Sequence, residues 1–231
     1  MSIAAETAGA GAEGDRARFS DLYADVESYY SARVAKYGAT PRGVDWSCQA
    51  TQDLRFVQLL KLCDFSAPFS LNDIGCGYGA LCGYLARRHP HAAIDYLGID
   101  LSLAMVSRAR RRFSAPGRRF KVGKTSPRRA TYSVASGIMN VNVGGSRASW
   151  EGFVAEMLAD LRRASLRGFS VNFVTGGADG TAAADGAPVQ LYCTSPEPWI
   201  HHCERDLGCT VETIDGYGMN EVTLLARCND C

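Results

Sequence analysis

Apolar positions in the first quarter of the chain recur every three or four residues, which is the spacing of amphipathic helices. One such helix is predicted from Asp15 to about Gly38, and a second from about Ser47 to Cys63. The second helix carries two adjacent apolar rows, so we expect its last two turns to be buried. Residues 1–14 are rich in Ala and Gly with little to bury, and we expect a disordered tail there.

Beyond residue 67, short apolar runs alternate with helix-compatible segments. This alternation predicts a parallel sheet with helices on both faces. The predicted strands are 70–74, 92–99, 120–122, 131–136, 169–174, 209–214 and 222–228, and the predicted helices are 79–88, 102–113, 150–164 and 198–207. The last two strands should form an antiparallel hairpin. Residues 175–188, which are rich in Gly, Ala and Asp, are expected to form a mobile loop.

The first predicted strand ends at three glycines spaced two apart, Gly75, Gly77 and Gly79. A strand, a glycine turn and a helix form the first unit of nucleotide-binding α/β folds. Glycine permits a positive φ and removes the Cβ that would keep a ligand away from the backbone, and the helix N-terminus adds free N–H groups. Asp73 lies two positions before Gly75, where it would repel a pyrophosphate but favour a cation.

The stretch Asp73–Gly79 resembles motif I of the class I S-adenosylmethionine-dependent methyltransferases. The resemblance extends to Asp100, which follows the second predicted strand 25 positions after Gly75, where a carboxylate would bind ribose hydroxyls. It implies an α/β fold with a Rossmann-like, seven-stranded, mostly parallel sheet in the order 3-2-1-4-5-7-6, the last strand antiparallel. It also implies that residues 15–66 form a helical cap and residues 67–231 the α/β core of a single domain.

The resemblance implies S-adenosylmethionine as the cofactor, and it assigns cofactor-binding roles by position. Asp73 would balance the ammonium or sulfonium end, Asp100 would accept from both ribose hydroxyls, and Arg55 would bind the methionine carboxylate. The full predicted set is Asp73, Gly75, Cys76, Gly77, Asp100, Leu101, Met105, Ser136 and Arg55. The chain departs from the family at residues 121–126, where many members place an acidic residue against the adenine amine.

The predicted substrate-binding residues are Tyr30 and Trp46 in the cap and Asn140 after the fourth strand. The alternative for the two aromatic residues is packing in a core, with Arg55 solvated. The alternative for Asn140 is the capping of a turn. Both alternatives stay open at the level of sequence.

The predicted catalytic residues are Tyr217, Glu221 and His201, all from the C-terminal part of the chain. Methyl transfer from a sulfonium is an in-line displacement in which alignment of the acceptor does much of the work. A general base is needed only where the attacking nucleophile carries a proton that must leave. These three residues are the candidates for that base.

The segment after the fourth predicted strand bears on the class of substrate. Residues 135–142 lack the Pro-Pro-Tyr ending of enzymes that methylate amino groups of nucleic-acid bases or Gln, which favours small molecules. The leading hypothesis is a methyltransferase acting on an oxygen or nitrogen nucleophile of a metabolite or natural product. The alternatives are a protein or RNA methyltransferase and a non-catalytic S-adenosylmethionine-binding protein.

The composition of the chain bears on the number of domains, the partners and the cellular compartment. The 231 residues, 46% of them hydrophobic, fit one domain, and a net charge of +1 argues against nucleic acid or an anionic membrane as partner. No apolar run approaches the roughly 18 residues of a membrane helix, and the N-terminus does not resemble a signal peptide. With nine scattered cysteines read as reduced thiols, we expect a cytoplasmic protein. We predict no metal, because the C-terminal His and Cys residues lack paired ligand knuckles.

Overall fold

The computed structural model describes residues 19–176, 181–184 and 187–229, and its centre is a seven-stranded sheet. The strands of this sheet are β1 (Phe69–Ile74), β2 (Ile94–Asp100), β3 (Arg118–Val122), β4 (Ala130–Ala135), β6 (Ser165–Val174), β9 (Cys209–Ile214) and β10 (Glu221–Cys228). Their spatial order is β3-β2-β1-β4-β6-β10-β9, and β10 runs antiparallel to both of its neighbours. The other neighbouring pairs are parallel. The predicted Rossmann-like sheet and its strand order are therefore confirmed.

The helices lie close to their predicted positions. They are α1 (Ser20–Tyr37), α2 (Gln49–Leu59), α3 (Ala80–Arg88), α4 (Leu103–Phe113), α5 (Arg147–Arg163) and α6 (Glu197–His201), with single-turn helical segments at Pro41–Val44, Leu60–Leu62 and His202–Asp206. The Ser102 hydroxyl caps α4 by accepting from the Met105 N–H at 3.2 Å, as predicted. Ser146 caps α5 in the same way, which explains why α5 begins before the predicted start at residue 150.

Two hydrophobic clusters cover the two faces of the seven-stranded sheet. Side chains alternate between faces along each strand, so that Leu97 joins one cluster and its neighbour Tyr96 joins the other. One cluster packs against α1 and α5, and the other against α2, α3 and α4. No helix in the described part of the chain is long and apolar enough to cross a bilayer.

A second, three-stranded antiparallel sheet lies beside the main one. Its strands are β5 (Val141–Asn142), β7 (Thr181–Ala184) and β8 (Ala187–Leu191), in the order β5-β8-β7. The prediction of a loop over 175–188 is therefore wrong for β7 and for the start of β8. The cause is a distant partner: β8 pairs with β5 as well as with β7. Residues 177–180 and 185–186, like the predicted tail 1–14, lie outside the described residues.

Candidate active site

A cavity opens at the carboxyl ends of β1, β2 and β4, where ligands bind in sheets of this kind. It encloses about 970 Å³, its open mouth included. The glycine turn after β1, the end of β2 and the loop after β4 form its base, while α1 and the segment around Trp46 cover it. Most of the remaining wall is apolar or aromatic, with contributions from Tyr23, Val26, Tyr30, Val44, Trp46, Phe56, Ile138, Phe153 and Met157.

Most of the residues that the sequence assigned to the cofactor lie on this wall. They are Asp73, Gly75, Cys76, Gly77, Asp100, Leu101, Met105 and Ser136. Tyr30 and Trp46, which were assigned to the substrate, lie on the wall as well. The fold thus brings the cofactor set and the two cap aromatics together around one space.

The glycine turn is tied to the end of β2. Gly75 and Cys76 both donate their backbone N–H groups to the carbonyl oxygen of Ile99, at 2.8 and 3.0 Å. Gly75 has φ +72°, and a Cβ there would lie 2.2 Å from the Cγ2 atom of Ile138. This position therefore requires glycine for two reasons, its left-handed backbone and its lack of a side chain.

The Asp100 carboxylate joins the glycine turn to the start of α4. One oxygen accepts from the Gly77 N–H at 2.8 Å and the other from the Ser102 N–H at 2.9 Å. A carboxylate oxygen can accept more than one hydrogen bond, so both retain capacity for a ligand. Burial raises the pKa of Asp100 to about 6, the two backbone hydrogen bonds oppose this rise, and the nearby Glu27 adds to it.

Asp73 is a second buried carboxyl group on the cavity wall, and it accepts a short hydrogen bond from the Tyr96 hydroxyl. Burial raises its pKa to about 7, the hydrogen bond from Tyr96 opposes the rise, and the charge of Asp100 adds to it. A cation bound beside these two carboxyl groups would stabilise their ionised forms. The base of the cavity therefore favours a positively charged ligand.

Arg55, for which the sequence predicts a contact with the methionine carboxylate, is not among the described residues that line the cavity. Its Nε donates to both Glu221 oxygens, at 3.0 and 2.8 Å, and its guanidinium stacks over the Trp46 ring at 3.7 Å from the ring centre. The two charged side chains are only 7% and 4% exposed. The reason is the position of β10, which brings Glu221 against α2 behind the wall.

The predicted catalytic residues also lie away from the cavity. Glu221 is held in the ion pair just described, the Tyr217 hydroxyl contacts the Thr223 hydroxyl at 3.2 Å, and His201 is exposed at the end of α6. Asn140 accepts from the Val174 N–H at 3.2 Å, which ties the loop after β4 to β6. None of these four residues is among the described residues that line the cavity. The contact of Asn140 is with a strand residue 34 positions along the chain.

Sequence reasoning missed two charged residues on the cavity wall, Glu27 and Lys124. Glu27 lies between Tyr23 and Tyr30 at the spacing that puts residues on one helix face, and this was the available signal. The Ser31 hydroxyl donates to Glu27 at 2.7 Å. The Lys124 ammonium lies 4.8 Å from the centre of the Tyr23 ring.

The hydroxyl of Ser136 is a buried polar group on this wall, and it has no hydrogen-bond partner among the described residues. A buried hydroxyl without a partner costs free energy, so this position points to a ligand atom. The wall therefore offers three carboxyl groups, the Ser136 hydroxyl, close backbone approach at the glycines, and the apolar flanks Leu101 and Met105.

Comparison with known proteins agrees with this geometry. The family model described as a methyltransferase domain matches residues 72–141. Rv1506c of Mycobacterium tuberculosis (strain ATCC 25618 / H37Rv), whose name assigns it provisionally to the methyltransferases, is 37% identical over 169 residues. That match covers 73% of this chain and 98% of the relative.

Solved structures share the fold. The DhpI complex with S-adenosylhomocysteine has a TM-score of 0.59 at 17% identity, covering 91% of this chain and 98% of that one. Magnesium protoporphyrin IX methyltransferase from Synechocystis PCC 6803, also with S-adenosylhomocysteine, has a TM-score of 0.58 at 16% identity. The match covers 78% of this chain and 83% of the Synechocystis chain.

The chemistry of the cavity wall fits the cofactor that these comparisons indicate. S-adenosylmethionine has a cationic sulfonium and ammonium end, ribose hydroxyls and an apolar adenine face, and the wall offers carboxyl groups, a free hydroxyl and apolar flanks in return. The sheet order, the cofactor-type cavity and the relative that is matched over nearly its whole length agree. The chain belongs to the class I S-adenosylmethionine-dependent methyltransferases.

Proposed function

We propose that this enzyme methylates an oxygen or nitrogen nucleophile of a small molecule, such as a metabolite or natural product. The observation that carries the proposal is the cover over the cavity. The α1 helix and the Trp46 segment belong to the same chain and enclose the site with aromatic and apolar side chains. Such a cavity suits an acceptor that is buried almost whole, whereas a protein or RNA would need an open approach.

The residues on the base of the cavity take cofactor roles in this proposal. Asp100 binds the ribose hydroxyls through the lone pairs that its two backbone hydrogen bonds leave available. Asp73 balances the cationic end, and Leu101 and Met105 flank the adenine. Ser136 bonds to the polar methionine end, which supplies the partner that its hydroxyl lacks.

The residues of the cover take acceptor roles. The cofactor supplies a methyl group on an activated sulfonium, so the chain has no leaving group to activate. Its task is to hold the acceptor in line with that methyl group and to exclude water. We assign the holding to Tyr30 and Trp46. For an acceptor that carries a proton, we assign the base to Glu27, which lies on the wall and has no cofactor role in the proposal.

The relatives add modest support for a small acceptor. The Synechocystis enzyme is named for magnesium protoporphyrin IX, which is a small molecule. At 16% identity this likeness shows only that the fold accommodates such acceptors. It favours no particular acceptor for this chain.

Transfer of a labelled methyl group tests the proposal. The enzyme is incubated with labelled S-adenosylmethionine and, separately, with a small-molecule extract, total protein or total RNA. We expect label in the small-molecule fraction only, and none with the Asp100→Asn variant. Label only in protein or RNA would contradict the proposal. Binding of S-adenosylhomocysteine without transfer to any pool would instead favour a non-catalytic binding protein.

A further inference from the structure

Residues from five separate segments form a closed ring of contacts at one side of the cavity. The members of this buried ring are Trp46 before α2, Arg55 on α2, Glu221 on β10, Asn172 on β6 and Gly137 after β4. Trp46 and Gly137 line the cavity, whereas the other three lie behind them. Each member contacts the next, and the last contacts the first.

The polar part of the buried ring is fully hydrogen-bonded. Arg55 binds both oxygens of Glu221, and its Nη1 also donates to the carbonyl oxygen of Thr51 at 3.1 Å. Asn172 donates to Glu221 at 2.9 Å and accepts from the Gly137 N–H at 2.8 Å. A buried ion pair is costly unless its remaining donors and acceptors find partners, and these contacts provide them.

The apolar part closes the buried ring. Gly137 has φ +76°, and a Cβ there would lie 2.2 Å from Cζ2 of Trp46. The Arg55 guanidinium, which is planar and can stack and form two directed hydrogen bonds at once, lies over the same indole. The indole therefore contacts both the backbone of the loop after β4 and the ion pair.

We infer that Arg55, Glu221 and Asn172 are positioning residues that fix the Trp46 indole and the Gly137 backbone as one wall of the methyl-transfer site. They act through these two neighbours, because none of the three lies on the described cavity wall. The inference rests on the proposed cofactor pocket, since Gly137 adjoins Ser136 at the assigned methionine end. It gives a role to a charge pair whose members sequence reasoning had placed in direct contact with ligands.

The test makes two measurements. The affinity for S-adenosylhomocysteine is measured by calorimetry. The fluorescence of Trp46 is measured as the difference between the emission of a protein and that of the same protein carrying Trp46→Phe. The main variant is Glu221→Gln, which keeps the shape of the side chain and removes its charge. The matched control is Ser170→Ala. Ser170 is buried on the same strand as Asn172 and donates to Leu59 O at 2.9 Å, but it lies outside the buried ring.

For Glu221→Gln we expect at least a fivefold rise in Kd for S-adenosylhomocysteine and a shifted Trp46 emission. Ser170→Ala should stay within twofold of wild type on both measures. A folded Glu221→Gln protein with wild-type affinity and wild-type Trp46 emission would overturn the inference while leaving the cofactor pocket intact. If the wild type binds no S-adenosylhomocysteine, the cofactor pocket itself fails and the inference falls with it.

A second variant covers the case in which Glu221→Gln does not fold. The double change Arg55→Met with Glu221→Gln leaves no unpaired buried charge, and such neutral replacements often fold. We expect this protein to fold and to show the same loss of affinity and the same change in Trp46 emission. If it also fails to fold, the pair is required for folding and the positioning role is rejected.

Discussion

The glycine-turn wall of the cavity, residues 73–105, is held by contacts between two consecutive strands and the turns that follow them. The second wall, which Trp46 and Gly137 form, is held by side chains from segments that lie much farther apart in the chain. In the first, Asp100 binds the backbone of Gly77 and Ser102. In the second, Trp46 and Gly137 depend on the pairing of Arg55 with Glu221, 166 positions away. The contacts of the first wall join β1, β2 and the turns that follow them. The second requires the cap, β6 and β10 to be in place together.

The two walls also differ in the ligand that we assign to them. We assign the glycine-turn wall to the cofactor that the family shares, and one continuous stretch of sequence, residues 73–105, forms it. The second wall carries Trp46, which we assign to the acceptor, and Gly137, which adjoins the assigned methionine end. Its formation depends on segments that lie far apart in the chain.

The largest loss of stability at the second wall is expected for Arg55→Ala. The change leaves the Glu221 carboxylate buried without its cation, and we expect the free energy of unfolding to fall by about 3–5 kcal/mol. The control is Arg119→Ala, whose partner Asp95 is about half exposed. It should cost less than about 1 kcal/mol. Similar losses for both variants in denaturant titrations would contradict the assigned importance of the buried pair.

At the glycine-turn wall, Gly75→Ala should lower the stability of the protein. The left-handed backbone costs an Ala residue about 1–2 kcal/mol, and its Cβ would also meet Ile138, so we expect a total loss of about 2–4 kcal/mol. Gly216 is a matched control, because it has φ +66° and nothing within 4 Å of a new Cβ. Gly216→Ala should lose only the backbone part. Equal losses in thermal unfolding would show that the contact with Ile138 is unimportant.

The carboxyl groups of the glycine-turn wall should make stability depend on pH. The raised pKa of Asp73, about 7, means that the folded chain holds a proton where the unfolded chain has lost it. Stability without ligand should therefore fall as pH rises from about 4 to about 7. Asp73→Asn should remove part of this slope and stabilise the unliganded protein at pH 8, by on the order of 2 kcal/mol. An unchanged slope in the variant would contradict the assignment.

The comparison of walls also explains what could be predicted from sequence. Asp73, the glycines and Asp100 follow one another at spacings set by a strand, a turn and the next strand, so their meeting is a local consequence of the fold. The Ser102 cap was equally local. The pairing of Arg55 with Glu221 could not be predicted in this way, because no sequence periodicity relates α2 to β10.

A similar reason applies to the other predicted site residues that are not among the described residues lining the cavity. Asn140 contacts Val174, 34 positions along the chain, and Tyr217 contacts Thr223 on the adjoining strand. Neither contact follows from a periodic pattern in the sequence. The small β5-β8-β7 sheet escaped prediction because a two-residue strand and an Ala-rich hairpin carry almost no pattern of their own. The main sheet could thus be predicted from the sequence, and so could the meeting of Asp73, the glycines and Asp100 at one cavity, while the contacts of the second wall required the three-dimensional arrangement.

The smallest expected effect concerns the free hydroxyl of Ser136. Because this hydroxyl has no partner among the described residues, Ser136→Ala should leave stability without ligand nearly unchanged or slightly higher. It should weaken the binding of S-adenosylhomocysteine by about 1 kcal/mol, which is roughly fivefold. Calorimetry and thermal unfolding of the same sample separate the two effects. A variant that loses stability and keeps its affinity would contradict the proposed contact.

The most direct test of the cofactor site is the affinity of wild type and Asp100→Asn for S-adenosylhomocysteine, measured by calorimetry. An Asn amide at this position would turn one N–H group toward a backbone donor and lose the charge that favours the ribose hydroxyls. Asp95→Asn, an exposed change on the same strand, serves as the control. We expect one molecule bound per wild-type chain, binding at least about 30-fold weaker in Asp100→Asn and unchanged in Asp95→Asn. Equal affinity of Asp100→Asn and wild type would contradict the account.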